Sequence, residues 1–72
     1  MKPRYRLYRR VLETAQTNVG ATTPEELAAA CRCSVATLLR WRDGQSCPDA
    51  AGLMRLFKLT GLDLGSMLYQ VD

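Results

Sequence analysis

The sequence predicts an all-α fold, a small five-helix domain spanning residues 1–72. Three observations lead there. Apolar residues recur at helical spacing, capping residues stand ahead of the apolar runs, and no stretch alternates at period two for long enough to make a strand. At 72 residues and 8.1 kDa the chain allows one domain and no separate ligand-sensing domain. Such a chain buries roughly 60% of its unfolded surface, which suffices without staples.

The elements follow in order. From Tyr5 to Thr17, Tyr8, Val11, Leu12 and Ala15 stand at i, i+3, i+4 and i+7, one face of a first helix that Pro3 precedes or opens. Asn18 to Thr23 breaks the pattern and reads as a loop. Thr23-Pro24-Glu25-Glu26 supplies an N-cap, a proline at the first helical position and a capping-box glutamate. A second helix should run from Pro24 to about Cys31, with Leu27, Ala28 and Cys31 inward. Ser34 caps a third helix reaching about Arg42, with Leu38 and Trp41 buried, Val35 partly so, and Gly44 as a left-handed stop. After a loop at Gln45–Pro48, a fourth helix fits Asp49–Thr60, with Leu53, Leu56, Phe57 and Thr60 on its inner face and Gly61 ending it. Asp63 caps a last helix from Leu64 to about Tyr69 that buries Leu64, Met67 and Leu68.

Composition narrows the function classes. Hydrophobic residues make up 47% and charged residues 24%, ordinary for a soluble globular domain. No run approaches the length of a membrane span or reads as a signal peptide, so a cytoplasmic location without membrane contact is expected. Histidine is absent, which removes imidazole bases, His-activated nucleophiles and imidazole-ligated zinc. Three cysteines suit neither a disulfide framework nor a four-ligand zinc site. The expectation is a binding protein, not an enzyme, with no cofactor and no metal. Net charge is +3, and residues 1–10 hold Lys2, Arg4, Arg6, Arg9 and Arg10 with no acid. That segment reads as a basic arm, an electrostatic footprint for nucleic acid or else a solvated, solubilising tail. Eight of the ten basic residues are arginine, the better partner for phosphate forks and base edges.

Residues 24–43 have the layout of a helix-turn-helix, two short helices joined by a tight turn. Ala28 is small where the second helix crosses, Cys31 and Cys33 flank the turn, and Leu38 and Trp41 pin the second helix. From Thr23 to Leu68 the chain resembles the Cro/repressor (Xre-type) helix-turn-helix family of phage and bacterial regulators. The resemblance implies a lambda-repressor-like fold, double-stranded DNA as partner, and a homodimer formed through the C-terminal part. It departs from the family pattern in three places. Arg32 stands where glycine is usual in the turn, at a cost of about 1 kcal/mol if the backbone is left-handed. Pro24 stands where glutamine often contacts DNA, and Arg42 precedes Asp43-Gly44 where an acidic residue is common.

On that resemblance the recognition helix presents Ser34, Val35, Ala36, Thr37, Leu39 and Arg40 to the major groove. Ser34 and Thr37 suit phosphates or base edges, Val35 and Ala36 thymine methyls, and Arg40 guanine. Backbone contacts fall to Lys2, Arg4, Arg6, Arg9, Arg10, Arg42, Gln45 and Ser46. Tyr5 and Tyr8 either pack on the domain or lie along the sugar-phosphate surface. Cys31 and Cys33 match core positions, and Cys47 is a loop thiol open to solvent. Residues exposed among Leu64, Met67, Leu68 and Tyr69 are the expected dimer patch. The function implied is a sequence-specific transcriptional regulator, a Cro-like repressor acting by operator occupancy. The alternative, drawn from a face so poor in base-reading side chains, is a protein-protein interaction module that binds a regulator or RNA polymerase.

Overall fold

The computed structural model describes residues 4–71. Its elements are β1 (Arg4–Leu7), α1 (Arg9–Val19), α2 (Pro24–Cys31), α3 (Val35–Arg42), α4 (Ala50–Thr60), α5 (Leu64–Met67) and β2 (Leu68–Val71). The five expected helices are present, but the fold is not purely all-α. β1 and β2 pair antiparallel, with Arg4 opposite Val71 and Leu7 opposite Leu68. The Tyr8 N–H extends the contact by donating to the Met67 carbonyl at 2.8 Å. Strands of four residues are too short to show a period. Their stabilising partner lies at the far end of the chain, where no local reading finds it.

The sheet moves two expected boundaries. Tyr5 to Leu7 are strand, and α1 starts at Arg9, with Tyr8 as its extended N-cap and no side-chain cap bond. Val11, Leu12 and Ala15 are buried as expected, while Tyr8 is half-buried. At the other end α5 stops at Met67, and Leu68 and Tyr69 belong to β2. Leu64, expected inside, is 57% exposed, and Met67 takes the core position. Of the expected dimer patch, Leu64 and Tyr69 are therefore the exposed members.

Side-chain caps fix the helix starts. Thr23, Ser34, Asp49 and Asp63 each accept the N–H three residues on, from Glu26, Thr37, Gly52 and Ser66. The Glu26 carboxylate takes the Thr22 hydroxyl at 2.7 Å, with the Thr23 hydroxyl at 3.4 Å. These bonds to Thr22 hold Glu26 below the usual glutamate range. The Asp63 carboxyl is lowered likewise by the Ser66 hydrogen bonds. Gly44 follows α3 at φ 75°, and the Gln45 N–H behind it closes back on the Arg40 carbonyl at 2.9 Å.

The core comprises Leu7, Val11, Leu12, Ala15, Leu27, Ala28, Cys31, Leu38, Trp41, Leu56 and Met67. Every described element contributes except β2, whose Leu68 packs against it from the edge. α4 joins through Leu56, flanked by half-buried Leu53 and Leu59. Phe57, expected inward, is 46% exposed. The reason is angular: with Leu56 at the centre of the contact, Leu53 and Leu59 lie one turn to either side, and Phe57 rotates out beside Met54. The first turn of α4 approaches closely enough that a Cβ on Gly52 would lie 3.2 Å from the Trp41 ring. Thr60 is half-buried, and its hydroxyl donates to the Leu56 carbonyl at 2.7 Å.

Candidate nucleic-acid interface

Arg32–Ser34 joins α2 to α3. Arg32 adopts φ 58° and ψ 43°, the left-handed conformation its position requires. The Arg32 and Cys33 N–H groups close on the Ala29 and Ala28 carbonyls, satisfying the end of α2 without glycine. Ser34 then starts α3 in a new direction.

The six expected recognition residues divide around α3. Ala36 and Arg40 are exposed on the helix, and Ser34 is exposed at its cap. Ser34 is committed: its hydroxyl accepts the Thr37 N–H at 3.1 Å and donates to Thr37 Oγ1 at 2.9 Å. Thr37 is half-buried and keeps its own hydroxyl proton to donate. Val35 packs partly against the core, which draws it from the outer surface. Leu39 is half-buried in a groove of about 360 Å³ between α1, α2 and α3, floored with Leu12, Leu27 and Leu38 and edged by Arg9 and Arg42. Thus Ala36 and Arg40 are open and Thr37 half-open, whereas Val35 is partly used in packing and Leu39 lines the groove.

The expected backbone residues are scattered. Lys2 lies outside the described residues, as does Pro3. Arg4 and Arg6 sit on β1, so this part of the basic segment is folded in and is not a free arm. Arg6 is half-buried. Its Nε donates to the Gly44 carbonyl and its Nη1 to the Tyr5 carbonyl at 2.9 Å, pinning β1 to the end of α3. Arg10 stacks over Tyr8, 4.5 Å from the ring centroid, and Tyr8 meets Tyr69 of β2 at 4.9 Å between centroids. Tyr8 therefore packs on the domain, while Tyr5 is exposed. Arg9 is exposed on the first turn of α1. Arg42 pairs with Asp43 at 3.0 Å, an exposed ion pair of little energetic weight. Gln45 is exposed and Ser46 half-buried after α3.

Sequence reasoning missed the opposite flank of α3. A cleft of about 670 Å³ runs between α3 and α4, and Arg55 and Lys58 of α4 line it together with Arg32 and Arg40. The available signal was two cations three apart on one helix, a spacing that shares a face. Arg55 is positioned by its Nε, which donates to the Ala30 carbonyl at 2.8 Å.

The three thiols lie in the same region. Burial pushes Cys31 up to about 11, with some help from neighbouring Cys33 and some offset from Arg55. Cys33 and Cys47 are also raised by burial. All three are protonated at neutral pH and poor as nucleophiles or ligands. Cys47 is half-buried, not the open thiol expected of a loop, because the chain folds it beside Trp41 in the cleft wall. Among the described residues no group of three His, Cys, Asp or Glu side chains is arranged to hold a metal, and no helix is long and apolar enough to cross a membrane. Compared with protein-family models, curated proteins and solved structures, the chain matches none.

Proposed function

We propose that the protein is a DNA-binding domain in which α2 and α3 form a helix-turn-helix and α3 enters the major groove of double-stranded DNA. Within that class the closest reading is a Cro-like repressor, a homodimeric transcriptional regulator that acts in the cytoplasm by occupying an operator. The observation that carries it is the junction at Arg32. A left-handed residue joins two capped eight-residue helices, with Ala36 and Arg40 exposed and Thr37 half-buried on α3. Arg40 is the strongest reader, with the geometry to fork onto guanine O6 and N7. Two copies on a palindrome would place their α3 helices about 34 Å apart. The exposed members of the expected dimer patch, Leu64 and Tyr69, supply material for that contact.

The test is selection from randomised duplexes at physiological salt, followed by sequencing of the bound fraction. An enriched palindrome supports the proposal. Binding without enrichment, or no binding, defeats it. A second reading, a protein-interaction module, draws support from the apolar floor of the Leu39 groove. It gains if Leu39→Asp abolishes capture of a protein partner while DNA selection yields nothing.

A further inference from the structure

We propose that the cleft between α3 and α4 is a phosphoanion site, taking two neighbouring phosphates of a phosphate ester or pyrophosphate. Arg32, Arg40, Arg55 and Lys58 line it against one acid, Asp49. Asp49 Oδ1 accepts the Gly52 N–H at 2.8 Å as the cap of α4. Among the described residues the one ion pair is Arg42–Asp43, so none of the four cations is neutralised by a carboxylate. Arg55 spends Nε on the Ala30 carbonyl and retains both terminal nitrogens. Four cations against one carboxylate leave the concavity net positive, which concentrates anions from solution. The Thr37 hydroxyl proton adds a neutral donor on the same wall.

The backbone at Arg32 is the second, independent observation. The other positive-φ residues among those described are Gly20, Gly44 and Gly61. Arg32 alone bears a side chain in this conformation, and that side chain lines the cleft. Strain of this kind persists where the side chain has a use. A guanidinium forks onto phosphate oxygens, which explains an arginine where glycine would fold more cheaply. The site does not require α3 to read bases. Its phosphates can belong to the DNA backbone at the groove edge or to a free phosphorylated compound.

The experiment titrates the full chain with inorganic pyrophosphate and, separately, with a random-sequence duplex, both at fixed ionic strength. Amide resonances of Cys33, Arg55 and Lys58, cleft residues outside the proposed groove-facing set of α3, are followed by NMR. Movement of this set with either probe supports the site. Pyrophosphate alone makes the source a free compound and removes the DNA reading, duplex alone makes it the nucleic-acid backbone, and both leave the cleft serving either. Arg32→Gly is expected to weaken the effective probe about tenfold, the loss of one charge-assisted fork. The same substitution raises Tm by roughly 4 °C, because strain leaves with the charge. Lys58→Gln, at an exposed position, weakens the probe without moving Tm. Duplex binding with these three amides unmoved overturns the cleft and leaves the α3 proposal standing. Undiminished affinity in both variants overturns it as well.

Discussion

Arg6 and Arg10, near the start of the chain, have partners within the fold: one holds the Gly44 carbonyl, the other lies over Tyr8. Arg32, Arg40 and Lys58, on the flank of α3 and α4, have none among the described residues. The first region has the denser charge in sequence and the second the denser uncommitted charge in space. Counting arginines along a chain measures the first quantity, whereas ligand capture depends on the second. A guanidinium that spends its donors on a carbonyl still contributes charge, but it no longer offers a free fork.

Four expectations break or sharpen this contrast. The largest is the response to salt. With about six phosphates neutralised, duplex affinity should fall about a thousandfold between roughly 50 and 200 mM monovalent salt. A flat salt profile would mean that the unpaired cations do not meet phosphate. Next, Arg40→Ala should lose ~1–3 kcal/mol of duplex binding and relax the preference at one base pair, with no change in Tm. Equal loss on every sequence would assign Arg40 to a phosphate instead.

Arg6→Ala should do the reverse. It leaves the Gly44 carbonyl without its guanidinium donor, lowering stability by ~1–2 kcal/mol in chemical denaturation. Specific duplex binding measured well below Tm should change less than for Arg40→Ala. If binding collapses while stability holds, the two regions are wrongly divided. The smallest effect is in acid. Glu26 and Asp63 have folded-state values below their unfolded ones, so each supports folding above the unfolded value and loses that support as pH falls through the folded one. Thermal melts between about pH 5 and pH 2 should show Tm falling, and Glu26→Gln should flatten part of that fall.

Much of the helical framework was legible because its signals are local. Thr23, Ser34, Asp49 and Asp63 announce their helices within one turn, and each makes its cap bond. Trp41 and Leu38 were identifiable as core from spacing alone, and both are buried. The β1–β2 pair was not legible, since Leu7 and Leu68 meet across nearly the whole sequence. The helical periodicity ahead of Arg9 was a false extension, with Tyr5 and Arg6 claimed by a strand whose partner is remote. Phe57 was misread because several apolar residues crowd α4, and only the docking angle decides which of them faces in. The same limit applied to the candidate site. Ala36 and Arg40 came from the family resemblance, but Arg55 and Lys58 came to the flank of α3 through tertiary packing that no short window contains.

The pairing of β1 with β2 sets a timetable for the newborn chain. Leu68, the residue that Leu7 lies against, is added some sixty positions after it. At the ribosome's pace of about 5–20 residues per second, several seconds separate the synthesis of β1 from that of its partner. Arg4 and Arg6, on this waiting strand, give it a charged edge that discourages pairing with neighbouring chains. The sheet cannot close until β2 has been made, whereas contacts among the helices need shorter stretches of chain.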